Sequence, residues 1–290
     1  MNFLLGLNGE LPDEAVAQQF AGVGMIRGEY LCRQAGAWIA ARSAQDCMGA
    51  YLDRIAALFA PRPVWYRLID MESNEVNQMA GCDEVIHEKT TMLGWRGVRR
   101  GLRLRESLNA ELSVLAAVAD VRPNLHLLLP FVSSVAEVAD LSARARQQGF
   151  AGRIGMMAET PAAVLTLADM LDEGVDQVTL GMNDLSSLTI GANRNMPQCR
   201  KDHPAVSALV SHAVGVADGR GVSLCAAGYL TGQDLANLAA LRVRSAVVHY
   251  SHLSRLWPER FARLGGEIDF AVVENQIRMR LHDPLVGGQA

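Results

Sequence analysis

Polar residues that close short apolar runs are the first candidates for chemistry in this chain of 290 residues. Arg27 and Glu29 follow the run 22–26, Arg67 and Asp70 lie in 64–70, and Glu159 closes 153–159. Asn183 and Asp184 stand at the end of 177–183, and Cys225 lies in 223–228. If such runs are neighbouring parallel strands, Glu159 and Asp184 end side by side, and their mutual repulsion is relieved by a hard divalent cation. Two carboxylates completed by substrate oxygens and water suit magnesium. The other reading is that each acid caps the helix that follows it. Arg27 and Arg67 have acids close by in sequence and could serve as ion pairs. Equally, guanidinium forks beside a divalent ion suit a doubly anionic carboxylate-phosphate ligand, because they hold planar oxyanions two-pronged. Cys225 could be a reactive thiol or a small buried hydrophobe.

These residues need a scaffold that brings strand ends together. Eight short apolar runs, 3–8, 22–26, 64–70, 124–130, 153–159, 177–183, 223–228 and 245–250, are bounded by Gly, Pro or Asn. Between them, 135–148, 162–173, 205–219 and 233–241 carry apolar residues at three- and four-residue spacing, the pattern of covering helices. Eight βα units predict a single α/β domain over 1–290, a closed (β/α)8 barrel with its chemistry at the C-terminal strand ends. No Gly-x-Gly-x-x-Gly follows the first run to favour an open dinucleotide-binding sheet. The segment 71–105 is too long for an ordinary connection, a common sign of function. An extra C-terminal helical arm is expected over about 259–290, packing on the barrel or pairing two copies as a homodimer.

Composition narrows the class. Half of the residues are apolar, and 27 Lys+Arg against 31 Asp+Glu give a net charge of −4, which offers no general attraction to nucleic acid or an anionic membrane. No run approaches a membrane-spanning length, and residues 1–6 lack a basic signal-peptide start, so a cytoplasmic protein is expected. Five scattered cysteines without a CxxC fit reduced thiols.

Four stretches carry a resemblance. GVGMIRGEY from Gly22 is similar to a G-[IV]-G-L-x-R-x-E-[FHY] signature, RLIDMESNEV from Arg67 to R-x-x-D-x-x-S-N-E-Y, and TMLGWRGVRR from Thr91 to P-M-L-G-x-R-G-x-x-R. IGMMAETPAA and LGMNDLSSLTIGANRN are similar to M-x-E-x-P and G-[TS]-N-D-L-[TS]-Q followed by D-R-D. In order and spacing these resemble the C-terminal phosphoenolpyruvate/pyruvate-binding barrel of phosphoenolpyruvate synthase, pyruvate phosphate dikinase and the first enzyme of the sugar phosphotransferase system.

The resemblance implies that Arg27, Arg67 and Arg96 grip the phosphate and carboxylate of phosphoenolpyruvate and that Asp70 orients Arg67. It makes Glu159 and Asp184 ligands of Mg2+ (or Mn2+), and Asn183 and Met182 substrate contacts, Met182 standing where the family has Thr or Ser. It places Cys225 in register with a cysteine that protonates the pyruvate enolate, although Ala226 and Ala227 replace that cysteine's usual Gly-Glu/Gln neighbours. The D-R-D is Asn193–Arg194–Asn195 here. These 290 residues carry neither an ATP-grasp nor a phosphohistidine domain, so a separate phosphohistidine-bearing protein is an expected partner beside the small anionic substrate. The expected function is that of a magnesium-dependent enzyme stabilising enolpyruvate. A metal-dependent 2-oxoacid aldolase or acyl-CoA lyase, and a non-catalytic phosphoenolpyruvate-sensing or assembly barrel, are the alternatives.

Overall fold

The computed structural model describes residues 1–83 and 85–257. Its strands, β1 (Asn2–Leu7), β2 (Val23–Arg27), β3 (Val64–Arg67), β4 (Leu125–Leu129), β5 (Ile154–Ala158), β6 (Gln177–Gly181), β7 (Ser223–Ala227) and β8 (Ser245–His249), pair in parallel and close into a barrel in chain order. Around it run α1 (Glu14–Ala17), α2 (Gly28–Ala35), α3 (Arg42–Phe59), α4 (Ser73–Val76), α5 (Gly97–Arg103), α6 (Arg105–Val121) and α7 (Val135–Gln147). The circle is completed by α8 (Pro161–Leu165), α9 (Leu167–Leu171), α10 (Met182–Ile190), α11 (Pro204–Arg220), α12 (Gly232–Ala240) and α13 (Leu253–Leu256). The expected (β/α)8 barrel is therefore the observed fold, and the expected C-terminal arm lies outside the described residues.

Local chemistry sets where elements stop. The third run was expected to reach Asp70, but β3 ends at Arg67: the Leu68 amide still donates to the Leu128 carbonyl of β4 at 3.1 Å, and the Ile69 amide then leaves the ladder for the Glu111 carboxylate on α6. The sixth run ends early because α10 begins directly at Met182. The expected helix over 162–173 is two short ones, α8 and α9, divided at Thr166, whose hydroxyl donates to the Ala162 carbonyl at 2.9 Å. Capping boxes, Ser134 with Glu137 and Thr231 with Asp234, start α7 and α12.

Two apolar layers hold the barrel. Outside, helices bury residues at helical spacing, as Met48, Leu52, Ile55 and Phe59 of α3 do. Inside, a separate plug is built from Leu4, Met25, Trp65, Leu128, Met157, Cys225, Ala227 and Val247. Strands covered on both faces favour apolar residues at most positions, which is why they read as near-continuous runs despite buried polar members such as His126, Gln177 and Thr179. No helix among the described residues is long and apolar enough to cross a membrane.

Trp65 is the largest side chain of this plug, and a Cβ on Gly155 would lie 3.0 Å from its ring. Trp65→Ala should cost about 3–5 kcal/mol in urea unfolding. A loss below about 1 kcal/mol would show that the barrel interior is not a packed core.

Candidate active site

Side chains alternate along a strand, so two residues beyond the plug the same face opens at the barrel mouth. Met25 leads to Arg27, Trp65 to Arg67 and Met157 to Glu159. These open into a cavity of about 1180 Å3, bounded by the described residues and also lined by Asp70, Arg96, Asn183, Asp184 and Arg194. The structure thus brings together Arg27, Arg67, Asp70, Arg96, Glu159, Asn183 and Asp184.

It does not bring Met182 or Cys225 there. As the first residue of α10, Met182 turns into the outer apolar layer and is 1% exposed, so the place expected for it at the substrate is taken by Asn183 and Asp184. Cys225 sits two residues deeper than Ala227, its Sγ 3.3 Å from Thr179 Oγ1, and burial pushes its thiol up to about 11. Register pairs Thr179 with Cys225 and Gly181 with Ala227, so Ala227 and Gly228 face the cavity at the end of β7.

The cavity's polar groups form a connected ladder. Asp70 accepts both prongs of Arg96, Nε at 2.8 Å and Nη2 at 2.6 Å, and lies 3.6 Å from Arg67 Nη1. Arg67 donates through Nη2 to Glu29 Oε1, while its Nε is buried with no hydrogen-bond partner among the described residues. Arg96 Nη2 is 3.6 Å from Asp184 Oδ2, and Arg194 donates to Asp184 Oδ1 at 2.7 Å. Burial opposes ionisation of Asp70, but the Arg96 bonds and the charges of Arg67 and Arg194 outweigh it and lower its pKa. Burial likewise opposes the charge on Arg67, and Glu29, Asp70 and Glu159 outweigh it.

Glu159 is held differently. Its Oε1 accepts the Phe131 N–H at 2.8 Å, and burial together with Asp184 and Asp70 pushes its carboxyl above the ordinary range against the pull of Arg67 and Arg96. Phe131 supplies that N–H from a left-handed backbone, φ 55°, while Arg96 stacks on its ring at 4.6 Å. Gly97, itself at φ 53°, lets the Arg96 segment approach, since a Cβ there would stand 2.9 Å from Phe131.

A metal is suggested by the donor set rather than by a preformed cage. No group of three or more His, Cys, Asp and Glu among the described residues could hold one. Glu159 and Asp184 could supply two carboxylates to a cation that takes its other ligands from water and substrate. Gly181 makes the cradle: a Cβ there would be 2.3 Å from Glu159 Oε2. The raised Glu159 carboxyl fits the same reading, because a cation would relieve the repulsion that raises it.

Two supporting residues escaped the sequence reading. Arg194 belongs to the Asn-Arg-Asn stretch, where a kept arginine between lost acids was its signal. Glu111 is an acid on the apolar face of α6, among Leu108, Leu112 and Leu115, and that misplacement was legible. Its Oε1 accepts the Tyr66 hydroxyl at 2.7 Å and the Ile69 N–H at 2.8 Å, anchoring the segment that delivers Asp70.

A closed parallel barrel with arginines and acids gathered at its C-terminal mouth defines the class as a (β/α)8 barrel with a charged cavity at that mouth. Within that class the chain belongs to the family of the PEP-utilising enzyme, PEP-binding domain, whose family description matches residues 6–251. Phosphoenolpyruvate synthase of Pyrococcus furiosus is 33% identical over 234 residues, covering 74% of this chain and 29% of that protein. A multiphosphoryl transfer protein of Xanthomonas campestris is 31% identical over 222 residues, covering 72% of this chain and 26% of that protein. The chain thus spans less than a third of the length of these relatives. Among solved structures, an HpcH/HpaI aldolase from Desulfitobacterium hafniense matches with a TM-score of 0.51 at 12% identity, over 92% of this chain and 93% of that one. An HpcH/HpaI aldolase/citrate lyase family protein from Burkholderia cenocepacia matches with a TM-score of 0.51 at 14% identity, over 95% of this chain and 94% of that one. These two likenesses show the shared barrel.

Burial raises the Glu111 carboxyl from 4.5 to about 7, helped by Glu29 and opposed by the bonds from Tyr66 and Ile69. The folded state therefore holds this proton to higher pH than the unfolded chain. Its contribution to stability is complete below 4.5 and is lost as pH rises through about 7. Urea unfolding should show a decline on the order of 3 kcal/mol between about pH 5 and about pH 8 from this group, absent in Glu111→Gln. Equal pH slopes in both proteins would remove Glu111 as the cause.

Proposed function

We propose that the cavity binds a small anion of the phosphoenolpyruvate/pyruvate class and stabilises its planar enolate. The observation that carries this reading is the buried Arg67 Nε, without a partner among the described residues, in a cavity also faced by Arg27, Arg96 and Arg194. A donor left open beside converging guanidiniums suits a ligand with several anionic oxygens. Arg67 and Arg96 are held in fixed poses by Asp70 and Glu29, so the ordering of their side chains is complete before the anion arrives.

Glu159 and Asp184 would hold Mg2+, or Mn2+ in its place. When bound, that ion supplies Lewis-acid stabilisation of negative charge on the enolate oxygen. Arg67, Arg27 and Arg96 neutralise the carboxylate and phosphate oxygens, and Phe131 N–H holds Glu159 in line. The family relation supports phosphoryl exchange with a separate phosphohistidine-bearing protein. A second reading is favoured by the end of β7: Ala227 and Gly228 place no acid at the cavity there, leaving room for a carbonyl carbon that the enolate would attack.

Isothermal calorimetry with oxalate, a planar enolate mimic, should show binding that needs magnesium. Arg67→Lys should weaken it by about 1–3 kcal/mol, because an ammonium cannot reproduce a two-pronged contact. Absence of oxalate binding with magnesium present would overturn the proposal.

Proton NMR of pyruvate in deuterium oxide addresses the thiol. Cys225→Ser should leave methyl exchange unchanged and Glu159→Gln should abolish it. Loss of exchange in Cys225→Ser would return the proton-transfer role to Cys225.

A further inference from the structure

The cavity is larger than its ladder of arginines and acids requires. At about 1180 Å3 it exceeds the roughly 300–1,000 Å3 that encloses a drug-sized ligand, whereas a three-carbon acid is far smaller. Beyond that ladder, the residues lining the cavity include Asn8, Glu29, Tyr30, Gln34 and Tyr51, contributed by or close after β1, β2 and the helices that follow them.

Two side chains there are each more than nine-tenths buried and each hold an oxygen with no partner among the described residues. They are Asn8, 8% exposed, through Oδ1, and Glu29, 5% exposed, through Oε2. Both follow neighbouring paired strands, Asn8 just after β1 and Glu29 in the first turn of α2 after β2. Neither oxygen is idle because its segment is loose. The Asn8 N–H donates to Glu10, the Gly9 carbonyl accepts from Gln34 Nε2 at 3.0 Å, and the Glu10 carbonyl accepts from the Tyr51 hydroxyl at 2.7 Å. Gly9 stands at φ 89°, with Gln34 Nε2 only 2.4 Å from where a Cβ would be, so this corner is built around a glycine. Glu29 is fixed by its other oxygen, which accepts from Arg67.

A pinned segment that buries unpaired acceptors leaves their desolvation uncompensated unless water or a ligand supplies donors, and a ligand group that displaces such water must itself donate. Both unpaired atoms are acceptors, so the complementary ligand group carries N–H or O–H, not another anion.

We propose that Asn8 and Glu29 form a second subsite of the cavity, which binds the hydroxyl or amino group of a second organic substrate beside the anion. The subsite rests on the cavity being the substrate site, and it deepens that reading by naming the chemistry of the second reactant. Arg67 joins the two: one of its nitrogens is held by Glu29, and its Nε is left for the anion. The two ligands therefore lie on either side of one guanidinium.

Saturation-transfer NMR on the full chain tests this with four probes, ethanolamine, ethylene glycol, n-propylamine and the donor-free 1,2-dimethoxyethane, with and without oxalate and magnesium. At least one donor-bearing probe should give a saturable signal that persists with oxalate present, and 1,2-dimethoxyethane should give none. Binding of n-propylamine alone would assign the group as an amine, and of ethylene glycol alone as a hydroxyl. Asn8→Leu should weaken the bound probe about tenfold or more, a difference of about 1.4 kcal/mol, and leave oxalate affinity within about twofold. Asn8→Asp, which keeps acceptor oxygens, should retain probe binding. The subsite is overturned if no donor-bearing probe binds, if the donor-free probe binds equally, if oxalate displaces the probe, or if Asn8→Leu binds as the wild type does. A protein that fails to bind oxalate but still binds a donor-bearing probe through Asn8 would refute the anion reading and leave the subsite standing.

Discussion

A buried carboxylate between two arginines governs this cavity. Asp70 sits where β3 has ended and accepts both prongs of Arg96 while lying beside Arg67. Two guanidiniums brought this close without it would repel each other in a poorly hydrated space, and the isolated acid would tend to take up a proton. With all three present and Glu29 also paired to Arg67, each charge has an opposite partner, and two side chains from distant parts of the sequence share one anchor. Removing one member of such a set leaves uncompensated buried charge, so the set behaves as a unit.

The rest of the architecture serves the placement of that unit. Glu111 reaches from α6 to hold the Ile69 amide and so fixes the approach to Asp70. Tyr66, on the strand before it, donates to the same carboxylate, and Gly28 makes room, since a Cβ there would be 2.3 Å from the Tyr66 hydroxyl. That clearance lets α2 begin directly after β2 and carry Glu29 to Arg67. Gly97 and Gly181 do comparable service beside Phe131 and Glu159. Small residues and one misplaced acid thus support the charged group from behind.

The barrel was legible because its strands are largely buried on both faces, so each appeared as a mostly apolar run, and several of these runs closed on a polar residue. The residues closing those runs on β2, β3 and β5, together with Asn183 and Asp184 after β6, met at one mouth for the same reason. Depth within the barrel was not legible. Cys225 and Ala227 lie in the same run and face the same way, and only the register of β7 against β6 shows that the alanine reaches the cavity. Met182 was misread because a strand had been extended through a residue that already belongs to a helix, and a helical turn sends its side chain outward. The unpaired oxygens of Asn8 and Glu29 depend on which partners fail to arrive, and no local pattern records that.

Phe131 shows what such a cavity asks of the backbone. A bulky residue in the left-handed region carries a penalty of about 1–2 kcal/mol that glycine would escape. Its amide serves Glu159, and glycine would serve as well in that respect; its ring, however, is the platform under Arg96 and, at 5.6 Å, under Arg99. The corner after β4 therefore trades conformational ease for a flat aromatic surface. A search for thermostable variants would be drawn to glycine at this position, and the stability gained there would come at the expense of the arginine's seat.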